Sequence, residues 1–189
     1  MRILGIDPGS LATGYGVVER CGARAVHVAH GTLRPPRADA LPARLAFLHR
    51  AVAELVTAHR PDAVAIESVF AGRSARAALV LGQARGAVLA ALASAGLPIR
   101  EVAPQHVKLA VTGTGAAEKA QVQAMVRRLL ALAATPPRDA ADALAAALCC
   151  ANESPLAVLR SAEPKTRSSR AGVRPSRRDA SRLVVRRIR

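Results

Sequence analysis

Two periods organise the apolar positions along the first 152 residues. Arg2–Asp7 is a short apolar run that stops at Asp7-Pro8-Gly9. Gly14–Arg20 and Ala23–Leu33 follow, rich in β-forming residues and separated by turn residues. Three such runs in succession predict an antiparallel meander. From Leu41 the period changes: Leu41, Leu45, Leu48, Val52, Leu55 and Val56 recur at spacings of three and four, with Pro42 in the first turn and Arg60-Pro61 closing. That spacing predicts an amphipathic helix. Asp62–Glu67 predicts a buried strand, and roughly Ser74 to Ser94 a long helix ended by Gly96-Leu97-Pro98. Pro98–Val102 predicts another strand, and two or three helices occupy 104–152, one carrying Val122, Met125, Val126 and Leu129.

A meander followed by strand–helix alternation predicts an α/β fold, a mixed five-stranded sheet flanked by helices. The long helix has apolar residues on more than one side, at Leu79, Leu81, Val88, Leu89 and Leu92, with Ala nearly everywhere else. Such a helix needs cover all round. The sheet supplies one side; a second subunit, or simply the rest of a monomer core, supplies the other.

Charge adds a partner. Lys and Arg number 28 against 13 Asp and Glu, a formal net charge of +15, which argues for a polyanion, nucleic acid before an anionic membrane. The surplus is uneven: residues 151–189 hold 11 basic and 3 acidic residues, and Ser161 to Arg178 has almost no apolar side chains. Two units follow, a domain over 1–152 and a basic, disordered C-terminal arm over 153–189. Cys21, Cys149 and Cys150 form neither a disulfide framework nor a zinc-like cluster. The chain opens directly into strand-like sequence without a signal-type segment, and no stretch long enough to span a bilayer is free of charge. A soluble, cytoplasmic protein with no membrane partner is the expectation.

Four acids carry the candidate chemistry. Asp7 and Glu67 each end an apolar strand, so that neighbouring strands would present both carboxylates at one end of the sheet. Asp139 and Asp142 stand i, i+3 on one helix face, ahead of a run of Ala, Leu and Cys. Singly, each has an ordinary explanation: an Asx-turn at Asp7, a strand-end charge at Glu67, and acids favoured at a helix N-terminus for the last two. As a set they point to a metal site, because clustered carboxylates repel unless cations sit between them. Hard oxygen donors suit Mg²⁺ or Mn²⁺, and two such ions can activate water and stabilise the leaving oxygen of a phosphodiester.

The motifs that hold these acids resemble the RuvC family of Holliday-junction resolvases. Gly5-Ile-Asp7-Pro-Gly-Ser-x-x-Thr13-Gly-Tyr-Gly16, Ile66-Glu67-Ser-Val-Phe70, Leu81-Gly-Gln-Ala-Arg-Gly86, Glu118-Lys119-x-Gln-Val122 and Asp139-Ala-Ala-Asp142-Ala-Leu run in family order from residue 1 to about 152. The resemblance implies a ribonuclease H-like sheet, whose strand order agrees with the pattern above. It implies a homodimer in which each subunit nicks one of two opposed strands of a four-way DNA junction, leaving 5′-phosphate and 3′-hydroxyl ends, in recombination and repair. It places Asp7, Glu67, Asp139 and Asp142 in the metal-ligand positions for two Mg²⁺ ions, with Mn²⁺ as a substitute. Lys108 and Lys119 match lysines near the scissile phosphate, and Phe70 matches an aromatic set against junction bases, with Arg73 and Arg76 as further candidate DNA contacts. The branch-migration motor RuvA–RuvB is a candidate partner. Ser68 departs from the family's frequent Gln, which should alter local contacts and not metal binding. The arm is longer and more basic than the family requires.

Other classes share parts of this pattern. Phosphate-binding ATPases of the actin and sugar-kinase superfamily also end their first strand in Gly-Ile-Asp-x-Gly, but they use two such domains. A non-catalytic junction-binding protein should have lost an acid, and none is missing. Against a nuclease-like relative with another substrate, the long apolar helix, Phe70 and the lysine motifs favour the resolvase family.

Overall fold

The computed structural model describes residues 1–68 and 74–153; Phe70, Arg73 and the basic arm beyond Glu153 lie outside them. Five strands form one sheet: β1 (Arg2–Asp7), β2 (Thr13–Cys21), β3 (Arg24–Leu33), β4 (Ala63–Glu67) and β5 (Ile99–Val102), in the order β3-β2-β1-β4-β5. The first three make the antiparallel meander, with Asp7 opposite Gly14. β4 then runs parallel to β1, and β5 parallel to β4. The mixed sheet and its meander agree with the sequence reading. Among the described residues five helices flank it: α1 (Leu41–His59), α2 (Ala75–Ser94), α3 (Pro104–Thr112), α4 (Lys119–Leu129) and α5 (Arg138–Asn152).

Strand alternation divides the core in two. Leu4, Ile6, Val64 and Ile66 point to one face and pack with Val52 of α1 and Val88, Ala91 and Leu92 of α2. Ile3, Ala63 and Ala65 point to the other, against Leu144 to Ala151 of α5 and Val122 and Val126 of α4. Burying each of the large side chains among these contributes roughly 1.5–3 kcal/mol.

Helix α5 lies close on the sheet because the strands beneath it lack side chains. A Cβ on Gly5 would run into the carbonyl of Ala143 and stand 2.9 Å from the Ala147 Cβ, and one on Gly14 would collide with the Asp139 carbonyl. Eleven of the fifteen α5 residues are buried, so this helix is the middle of a layer. Its far end is pinned: Arg100 and Arg20 both bond to Glu153, and Arg20 also donates its backbone N–H to Met1 beside the start of β1.

Helix α2 is long and apolar enough to cross a membrane by length and composition alone, with a mean hydropathy of 1.5 over 18 residues, although Arg85 keeps it from being free of charge, as the sequence reading expected. It is not the fully covered core helix of a monomer. Only 22% of that stretch is buried, and Leu79 is 65% exposed. Ser74, expected inside the helix, is its N-cap and accepts a hydrogen bond from the Ala77 N–H.

Candidate active site

Alternation decides where the strand-end acids point. Ile3 and Gly5 face α5, so Asp7, the next odd position of β1, faces it too. Ala63 and Ala65 face α5, and Glu67 continues that side of β4. The parallel register pairs Ile6 with Ile66, which makes Asp7 and Glu67 the next positions on adjacent strands. The close seat of α5 on Gly14 brings the helix's first turns over the same sheet end, with Asp139 and Asp142 on them.

The loop after Asp7 is closed locally. Thr13 is fully buried, and its hydroxyl donates to the Gly9 carbonyl at 2.8 Å while accepting from the Gly9 N–H at 3.2 Å. This accounts for Thr13 in the first motif, which needed a physical reason beyond resemblance. Ser68 is held locally as well, since its N–H and hydroxyl both donate to the Val102 carbonyl, at 2.8 and 3.0 Å.

The acids share one electrostatic neighbourhood. Burial, then Glu67 and Asp142, push the Asp7 carboxyl up to about 7, with Asp139 adding to the effect and Lys119 opposing it. Burial, then Asp142, also raises Glu67, opposed by Lys119 and Lys108. The Lys119 ammonium sits 3.0 Å from Asp142 Oδ2, and this hydrogen bond, with the Asp142 charge, raises the lysine further. Lys119 is the first residue of α4, where a cation opposes the helix dipole, so the carboxylates rather than the helix favour it there. Gln121 accepts from the Glu118 N–H at 2.8 Å, and Gln123 donates to the Pro136 carbonyl at 2.6 Å, tying α4 to the entrance of α5. Lys108 is half-buried on α3. Arg76 is exposed and lines a groove of about 380 Å³ with Ser10 and Leu11, beside the loop that follows Asp7.

Three neighbours escaped the sequence reading. Arg34 lies 3.6 Å from Asp139. Arg138 borders the small hollow shared by Lys119, Gln123 and Asp142. Arg85 of α2 donates to the Glu67 carbonyl at 2.7 Å. Arg34 and Arg138 had no signal of their own, because isolated cations in a basic chain look like solvated charges, whereas Arg85 stood in the Leu81–Gly86 motif without an assigned role.

The donor set suits a hard divalent cation. Four carboxylates, two of them raised by burial and mutual repulsion, are placed where an added positive charge relieves the repulsion. Their present side-chain positions are not a closed ligand cage. Among the described residues no three His, Cys, Asp or Glu side chains stand close enough to grip one ion, since Asp142 is turned to Lys119 and Asp139 toward Arg34.

Comparison with known proteins adds what geometry alone does not. Residues 3–150 match the family model described as crossover junction endodeoxyribonuclease RuvC. A protein of that name from Hyphomonas neptunium is 51% identical over 162 residues, covering 86% of this chain and 97% of its own. Another, from Alkalilimnicola ehrlichii, is 56% identical over 148 residues, covering 78% and 89%. Among solved structures, Thermus thermophilus RuvC in complex with a Holliday junction substrate superposes with a TM-score of 0.73 at 36% identity, covering 80% of this chain and 94% of that one.

Proposed function

The chain belongs to the RuvC family of crossover junction endodeoxyribonucleases, and we propose that it resolves Holliday junctions by metal-dependent hydrolysis through Asp7, Glu67, Asp139 and Asp142. The observation that carries this reading is the meeting of two strand ends and one helix N-terminus around Asp7, whose charge the protein opposes on every side except that of Lys119. Family membership removes the ATPase alternative, and the full set of four acids argues against a binding protein without activity.

Each residue has a part. Asp7 and Glu67 hold divalent metal from the sheet, and Asp139 and Asp142 from α5. When bound, two Mg²⁺ ions, or Mn²⁺ in their place, would supply the activation of water and the stabilisation of the leaving oxygen. Lys108 and Lys119 bind the phosphates flanking the scissile bond as point charges. A metal ion held by Asp142 would compete with the Lys119 ammonium, which stands 3.0 Å from that carboxylate. Arg76, beside the Asp7 loop, and Arg73 contact the DNA backbone, and Phe70 stacks on a junction base, an interaction of about 1–3 kcal/mol.

Two copies act together. The exposed apolar side of α2 is the surface that a second copy covers, and a homodimer lets opposed strands be nicked as a pair, leaving ligatable ends. The nuclease domain spans 1–152, and the basic arm from 153 to 189 adds affinity that does not depend on sequence. The protein works in the cytoplasm, with the branch-migration complex RuvA–RuvB as its partner on the junction.

The decisive measurement uses a synthetic four-way junction beside linear duplex, with Mg²⁺. We expect paired symmetric nicks in the junction only, and an Asp7→Asn protein that binds without cutting. Equal cutting of linear duplex overturns the substrate assignment, and residual cutting by Asp7→Asn removes Asp7 from the site.

A further inference from the structure

Arg85 is a cation in the middle of a mostly apolar helix whose other charge, Arg76, stands in its first turn. Its side chain is only 13% exposed, and its two terminal nitrogens serve different elements. Nη1 donates to the Glu67 carbonyl at 2.7 Å, and Nη2 lies 2.8 Å from Glu101 Oε2 on β5. A guanidinium taken out of water needs acceptors for its donors, and these are the two it has found.

The location of this bond matters. Glu67 is the last residue of β4, and Ser68 after it is stitched to the Val102 carbonyl of β5. The Glu67 side chain points toward α5, whereas α2 packs on the opposite face of the sheet. Arg85 therefore holds the backbone of the strand end from the layer opposite to the one its carboxylate serves. We infer that Arg85 is a positioning residue for the cleavage reaction: by fixing the Glu67 carbonyl against β5, it sets where the Glu67 carboxylate stands. Nothing else on α2 reaches the site's acids among the described hydrogen bonds and ion pairs.

The planar fork is essential to this role. Lysine in its place reaches one acceptor as a point charge, and methionine reaches none. A catalytic group displaced by an ångström loses much of its effect, and residues behind a metal's ligands typically change affinity or activity by roughly tenfold to a hundredfold.

This inference rests on Glu67 being a metal ligand, and the test separates the two. Arg85→Met, Arg85→Lys and Glu67→Gln are compared with the native chain in single-turnover junction cleavage, Mg²⁺ titration of that cleavage, junction binding without divalent metal, and Mn²⁺ binding to the DNA-free protein. Arg85→Met should cut roughly tenfold to a hundredfold more slowly, need more Mg²⁺ and bind Mn²⁺ more weakly, with junction affinity unchanged; Arg85→Lys should fall between. Native rates and metal midpoints in a folded Arg85→Met, with only its melting temperature lowered, overturn the inference while leaving the site intact. Full cutting by Glu67→Gln overturns the reading of the site itself. Should Arg85→Met not fold, Arg85→Lys decides by the same two metal readouts, native values counting against positioning.

Discussion

At the end of β1, burial and three other acids oppose the charge of Asp7, and Lys119 favours it. The folded, metal-free protein therefore keeps that proton up to about 7, whereas the unfolded chain releases it near the ordinary aspartate value of 3.8. Between these limits the folded state binds more protons, so its stability falls as pH rises through the window and the loss is complete above about 7. The amount over the whole window is on the order of 4 kcal/mol. Melting temperatures of chelator-treated protein from pH 5 to 8 should show this decline, and Asp7→Asn should flatten it; identical slopes in both proteins would sink the assignment. Added Mg²⁺ should raise the melting temperature more at pH 8 than at pH 5, because the ion competes with protons. Lys119→Met should steepen the metal-free decline, since it removes the one charge that lowers Asp7.

At the scale of elements, the site depends on how closely α5 sits on β1 and β2. Gly14→Ala places a methyl group against the Asp139 carbonyl, so α5 must lift. Overpacking of this kind costs about 1–3 kcal/mol, and urea unfolding should read it. Cleavage by the folded fraction should fall as well, because Asp139 and Asp142 move relative to Asp7 and Glu67; a stable variant with native cleavage would show that α5 need not be seated so closely. Helix α2 has its own test. Leu79→Glu charges its exposed face and should weaken self-association in sedimentation without disturbing the monomer fold, and an unchanged dimer would place the interface elsewhere. The five strands, α1 and α2 were legible to within a residue or two, since short apolar runs between turn residues and three-to-four spacing mark them, whereas the helices of 104–152 were expected as two or three without bounds and are three. The face of Glu67 was not legible, because Ala-Val-Ala-Ile is apolar at every position and shows no alternation. Nor was the seat of α5, because an Ala-rich helix has no amphipathic stripe and its fit depends on Gly5 and Gly14, at the other end of the domain's sequence. Arg85 stood inside the Leu81–Gly86 motif, but a cation in a mostly apolar helix carries no period that would reveal what it holds.

For the whole molecule, charge is distributed as cutting DNA requires, with acids gathered at one sheet end and 11 of 28 basic residues in the last 39 positions. Removing residues 160–189 should lower the slope of log affinity against log salt by about 0.9 for each phosphate no longer neutralised. An unchanged slope would mean that the arm does not meet the DNA. The clamp on Glu153 has a further, practical consequence. A helix rises about 1.5 Å per residue, so the far end of α5 stands roughly 20 Å from Asp139, on the side where β1 begins. A fluorescent dye attached there is rigidly mounted yet clear of the carboxylates. Donor and acceptor dyes on the enzyme and one junction arm can thus follow each nick in real time without touching the chemistry they report.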